Sequence, residues 1–185
     1  NNEFVVKSVK NYNNYSRLFL HQDVINTSKE GRQRENKSTQ ETISNRIKKL
    51  REKHPNLFVL PLKEDVNYYL KSGAILDEHQ KYFEETKDSK AIHLLNTTGK
   101  NYLKDFSELY LTSLPRLNPE HYKAVAISLY GHDVSLNMNR EKSSLCWFED
   151  IKLEMVYRGM LYAEILQIIH RSALRIINPE KLKQE

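Results

Sequence analysis

"AIHLLNTTGKNYLKDFSELYLTSLPRLNPEHYKAVAISLYG", residues 91–131, carries two apolar runs, a polar turn and a capped helix in one unbroken stretch. Ala91 to Leu95 reads as a buried strand, Asn96-Thr97-Thr98-Gly99-Lys100 as a polar turn, and Glu108 to Ser113 as a second strand. Pro119 to Tyr130 is predicted as a helix, because Asn118 can accept from its first free amides and Pro119 presets φ at the first helical position. Strands alternating with helices predict an α/β layer on a parallel sheet. Ligands of such sheets gather where loops leave the carboxyl ends of strands, which puts Thr97, Thr98, Gly99 and Arg116 on the expected binding edge.

Upstream, Leu57-Phe58-Val59-Leu60 is a continuous apolar run with Pro55 before it and Pro61 after it, the pattern of a strand covered on both faces. Ile43, Ile47 and Leu50 recur at helical spacing, so a helix is expected over about 40–53, capped by Ser38 or Thr39 and stopped by His54-Pro55. A second helix is expected from about Asp65 to Gly73, a short strand over Gly73-Ala74-Ile75-Leu76, and a polar helix over 77–87 that buries Tyr82 and Phe83. Residues 1–40 form a less regular entry segment with a candidate strand at Phe4-Val5-Val6. Within it, 26–40 reads as a mobile loop whose Lys29, Arg32, Arg34 and Lys37 are either solvated or a contact to phosphates. For 131–150 a hairpin and an inserted loop are equal alternatives.

The 185 residues suit one domain, expected over 1–185. Hydrophobic residues make up 39% and charged ones 29%, which excludes collagenous chains, and no apolar run reaches the roughly 18 residues of a bilayer span. With 29 Lys+Arg against 24 Asp+Glu the net charge is +5, favouring DNA, RNA or another polyanion as partner, while the lack of a long apolar run makes a membrane partner unexpected. A single cysteine, Cys146, excludes an internal disulfide and a thiolate zinc cluster, so a reducing, cytoplasmic location is expected. Cys146 itself reads as an inert buried residue. The opening NNEFVVKSVK has neither Met nor a signal-peptide profile and reads as cut from a longer chain.

Residues 151–177 are expected to form one or two helices, with Arg158-Gly159 the weak point. Leu161, Ile165, Ile168, Ile169, Ser172 and Ile176 form the packing stripe. Glu164, Gln167, Arg171 and Arg175 recur at three- and four-residue steps beside it. A solvated face would account for that second stripe. Arginine, however, presents a permanently charged planar donor fork suited to phosphate oxygens, and one delivered from outside a nucleotide pocket can stabilise charge developing during phosphoryl transfer.

"QIIHRSALR", 167–175, resembles motif VI of superfamily 2 helicases of the DEAD/DEAH type, in which Gln, a Gly- or His-Arg pair and a second Arg sit on a helix of the second RecA-like lobe. "AIHLLNTTGKNYLKDFSELYLTSLPRLNP" is similar to the motif V region of the same lobe, and "LFVLPLKEDVNYY" to its opening strand and helix. Together they cover roughly 55–178 in the family's order. The resemblance implies a RecA-like three-layer fold, with a mainly parallel central sheet flanked by helices. It also implies a C-terminal motor lobe whose partners are the N-terminal lobe of the same polypeptide and a nucleic-acid strand. Arg171 and Arg175 are then the arginine-finger positions facing ATP and Mg²⁺ on the other lobe, and Gln167 helps to hold the nucleotide. Thr97 or Thr98 with Gly99, and Lys100 and Arg116 beside them, contact the strand, while Asp105 couples that contact to the nucleotide.

No G-x-x-x-x-G-K-[ST] occurs, since Gly99-Lys100-Asn101 lacks the earlier glycine and the hydroxyl, so this chain alone is expected not to hydrolyse ATP. No metal site is expected either; Glu149-Asp150 with Lys152 reads as a charged helix start rather than a nuclease centre. Trp147-Phe148, Tyr68-Tyr69 and Tyr102 are candidates to stack on bases, though core positions explain most such aromatics. The rival function is a basic nucleic-acid-binding accessory module without a motor.

Overall fold

The computed structural model describes residues 25, 27, 32, 38–86, 91–97, 101–139 and 146–172. They divide into two compact units, one reaching to Ser113 and resuming at Ile169, the other spanning Leu114–Ile168. Phe4-Val5-Val6 and most of 26–40 lie outside the described residues.

The first unit begins with helix α1, Ser38–Arg51. Ile43 and Ile47 are fully buried on its inner face, as their spacing predicts. The helix ends where the Lys53 and His54 amides both turn back to the Leu50 carbonyl, 3.0 Å each, ahead of Pro55. Strand β1, Phe58–Leu60, is buried along its whole length, matching the apolar run. It pairs in parallel with β2, Leu109–Leu111, in the register Phe58 to Leu109, Val59 to Tyr110 and Leu60 to Leu111. Among the described residues the sheet has these two strands. The unit is therefore mixed α/β with parallel pairing.

Helix α2, Val66–Lys71, follows a 3-10 turn at Lys63–Asp65. Gly73 ends it in the left-handed region at φ 69°, a conformation that costs glycine nothing and other residues much. The expected strand at 73–76 is not formed, because its backbone groups are bonded elsewhere: the Ile75 amide donates to Tyr69 O at 2.9 Å. Its carbonyls are used otherwise: Arg51 donates to Gly73 O at 3.2 Å and to Ala74 O at 2.5 Å.

The expected helix over 77–87 is a 3-10 helix at Asp77–Phe83. Its rings close over β1, with Phe58 packed on His79, Tyr82 and Phe83 at centroid distances of 5.2, 5.7 and 5.8 Å, and on Phe106 at 4.4 Å. Burial lowers the His79 imidazole from its ordinary range, so this aromatic layer contains a neutral ring at physiological pH.

The expected strand at 91–95 is also corrected. Ile92 and Leu94 are buried, but their amides bond Tyr82 O at 2.9 Å and Pro61 O at 2.7 Å instead of entering a ladder. The stretch then turns through a bridge between His93 and Asn96.

In the second unit, α3 spans Pro119–Tyr130 as predicted. The Asn118 side chain accepts from the Glu120 amide at 3.1 Å, and Gly131 closes the helix at φ 82°. Helix α4, Ile151–Arg171, starts in this unit, and its last three residues belong to the first. Asp150 caps it, its Oδ1 accepting from the Lys152 and Leu153 amides at 2.8 and 3.3 Å and its Oδ2 from Ser135 N at 2.9 Å. Those amide bonds hold the Asp150 carboxyl below its ordinary range, which is the charged helix start the sequence suggested.

An antiparallel bridge joins Met138 to Phe148. Glu154, 2% exposed, ties the 146–148 stretch to α4: its Oε2 accepts from the Trp147 and Phe148 amides at 2.9 and 3.0 Å, and its Oε1 from Arg158 Nε at 2.7 Å. Phe148, Leu153, Val156, Tyr157 and Leu161 form the core with Tyr122 and Ala126 of α3. Cys146 is half-buried, its sulfur accepting from Arg158 Nη2 at 3.5 Å.

α4 runs unbroken through Gly159, where a weak point was expected. Nothing lies within 4 Å of the position a Cβ would take there. Gly159→Ala is therefore expected to stabilise the chain by about 0.5–1 kcal/mol, because alanine lowers the entropy of the unfolded chain without a clash. Chemical denaturation would register this as a higher midpoint at unchanged slope; a lower midpoint would mean that glycine is needed at that position.

No described helix is long and apolar enough to cross a membrane.

Candidate functional site

The end of α4 is where the sequence placed its arginines. Ile168 and Ser172 are buried and Ile165 and Ile169 half-buried on the packing stripe, while Gln167 is exposed. Ser172 fixes the last turn, donating from both its amide (3.1 Å) and its hydroxyl (2.6 Å) to Ile169 O. Arg171, half-buried, donates from Nη1 to Thr97 Oγ1 at 2.8 Å. Two residues 74 apart in sequence, taken from the stretches resembling motifs VI and V, thus meet within the first unit.

Thr97 is 3% exposed. Its place is set by the turn before it, in which the Asn96 amide donates to His93 O at 2.8 Å and the Asn96 side chain to Ala91 O at 3.0 Å. The hydroxyl expected to touch a strand is therefore covered, and it faces Arg171.

Asp105 ends the 3-10 turn Tyr102–Asp105, anchored by fully buried Leu103. Its side chain is exposed and takes no part in the Thr97–Arg171 contact. Arg116 belongs to the second unit, exposed, with its guanidinium 5.4 Å from the Trp147 ring centroid. Thr98, Gly99, Lys100 and Arg175 lie outside the described residues. Of the stacking candidates, Tyr69 is fully buried against Tyr68, and Trp147 packs edge-on to Tyr122 and Tyr157.

The polar cluster that sequence reasoning missed is built on Asp65, 1% exposed. Arg32, expected on a mobile loop as either a solvated residue or a phosphate contact, is instead 3% exposed and paired through Nη1 with Asp65 Oδ2. It also donates to Thr27 O at 3.0 Å and to Glu64 at 3.2 Å, and Gln40 donates to Asp65 Oδ1 at 2.8 Å. Burial raises the Asp65 carboxyl above its ordinary range, against the opposing pull of Arg32 and Gln40. An open depression of about 620 Å³ lies over the cluster, with Tyr68 and Lys71 on its walls. Both Asp65 oxygens and all three Arg32 nitrogens already make bonds within the protein. The cluster ties Arg32 and Gln40 to the turn that precedes α2. The one local signal for it was an aspartate three residues after the apolar run that ends at Leu62.

Among the described residues no group of three or more His, Cys, Asp or Glu is placed to hold a metal ion. No protein-family model matches the chain, and neither the curated proteins nor the solved structures contain a match to it.

Proposed function

We propose that the chain is the second motor lobe of a nucleic-acid-dependent ATPase of helicase type, in which Arg171 or Arg175 completes a nucleotide site carried by another lobe. The observation that carries this is the 2.8 Å contact between Arg171 and Thr97. A helicase lobe needs its motif VI arginine and its motif V turn side by side, and no local rule of helix or turn formation would otherwise bring these two residues together. The parallel pairing of β1 with β2 is the sheet arrangement that a RecA-like three-layer fold extends.

Arg171 suits triphosphate oxygens, because its fork is planar and always charged. ATP would supply the transferable phosphoryl group and Mg²⁺ would screen its charge, both held chiefly by the other lobe. Closure of the two lobes, driven by ATP, and reopening after hydrolysis would move the bound strand.

The two-stranded sheet among the described residues favours the rival, a basic binding module that needs no motor. The two readings separate on binding by the chain alone. A motor lobe by itself is expected to hold a labelled single-stranded oligonucleotide weakly, and the same chain joined to a phosphate-loop lobe to hydrolyse ATP faster when the strand is added. Tight binding by the chain alone, lost steeply as salt rises, with no turnover in the joined protein, would establish the rival instead.

A further inference from the structure

We propose that Thr97 is a positioning residue, whose buried hydroxyl holds the Arg171 guanidinium in place, and that it is not a contact to the nucleic-acid strand. The inference rests on the reading of Arg171 as a finger. It departs from the role that the motif V resemblance implies for Thr97.

Three observations carry it. Thr97 is 3% exposed, so its oxygen cannot reach a phosphate outside without the turn unfolding. That oxygen accepts from Arg171 Nη1 at 2.8 Å. Both partners stand on fixed backbone: Leu94 in the turn is tied to Pro61 O beside β1 at 2.7 Å, and Ser172 closes the last turn of α4 on Ile169 O at 2.6 Å.

A long arginine side chain has many rotamers to lose on being ordered. A hydroxyl that selects one of them before the nucleotide arrives removes that cost from the reacting complex, and a misplacement of about 1 Å at such a group costs on the order of a hundredfold in rate.

Thr97→Val deletes the hydroxyl and keeps the shape; Thr97→Ser keeps the hydroxyl. In the full chain with its nucleotide-binding lobe, Thr97→Val is expected to lower kcat for ATP about 10- to 100-fold, with affinity for a labelled single-stranded oligonucleotide within about twofold of wild type. Thr97→Ser should keep kcat within about threefold. Thr97→Val added to Arg171→Ala should cost nothing further, as expected for residues acting through one another.

Unchanged kcat in Thr97→Val beside lost turnover in Arg171→Ala would overturn the positioning role and leave the finger reading standing. Oligonucleotide affinity weakened tenfold or more in Thr97→Val, with kcat at saturation intact, would return Thr97 to the strand. An equal loss in Thr97→Ser and Thr97→Val would make the position merely structural. Full turnover in Arg171→Ala would remove the finger reading and this inference with it.

Discussion

Arg171→Ala is expected to lower strand-stimulated ATP turnover by at least about a thousandfold, the range in which a finger arginine acts on charge developing at the transferred phosphoryl group. Steady-state hydrolysis at saturating ATP and strand measures it. The fold should survive. Arg171 is half-buried at the last residue of α4, so its removal opens no deep cavity. It strips one donor from the Thr97 hydroxyl, a loss of roughly 1–3 kcal/mol for a buried polar group left unmatched. Arg171→Lys separates charge from shape: a point charge on a flexible stem should restore only a small part of the rate, because the planar fork is lost. Arg175→Ala is the companion experiment, since the spacing of the motif allows either arginine to be the finger. If both alanine variants turn over ATP like wild type, the motor-lobe assignment ends.

Legibility followed the range of the forces involved. α3 could be read to the residue, because Asn118, Pro119 and Gly131 each act on their own backbone. β1 was visible because four apolar residues between prolines have few alternatives. The same kind of run misled at 91–95. Burial of Ile92 and Leu94 is real, but burial does not say which carbonyl an amide will find, and Pro61 and Tyr82 were nearer than a ladder. At 73–76 the helix stop at Gly73 was legible, but the strand expected after it was not formed, because the Ile75 amide turns back to Tyr69 O at 2.9 Å. Glu154 was invisible for another reason: a carboxylate in an α4 core stripe breaks the pattern unless its partners, the amides of Trp147 and Phe148, are known.

The candidate site divides in the same way. The place of Arg171 on the last helix was legible from spacing, but the turn before Thr97 was not, because 91–95 reads as a strand. Their meeting across 74 residues was accessible only through the order of the motifs. The covering of Thr97 was not accessible at all, because it depends on how the 91–97 turn packs.

The basic segment 26–40 shows the limit most clearly, and the second large effect is expected there. Composition gave Arg32 no partner; the fold gives it Asp65, 33 residues on. Arg32→Leu would leave a carboxylate that is 1% exposed with Gln40 as its remaining side-chain donor. An uncompensated buried charge of that kind costs roughly 3–5 kcal/mol, read as a lowered denaturation midpoint at pH 7.

The pH dependence identifies the cause. Burial already raises the Asp65 carboxyl, while Arg32 pulls it down, so deleting the arginine raises it further. A carboxyl raised in the folded state binds its proton more tightly there than in the unfolded chain. Its contribution to stability is fully present below the unfolded value and is lost as pH rises through the folded one. The deficit of Arg32→Leu should therefore be smallest below about pH 4, where an unfolded aspartate also holds its proton, and should widen toward neutrality. Asp65→Asn added to Arg32→Leu removes the stranded charge while leaving an acceptor for Gln40, so much of the loss at pH 7 should return. A deficit equal at both pH values, or no recovery in the double variant, would mean that Arg32 stabilises by packing its stem and not by neutralising Asp65.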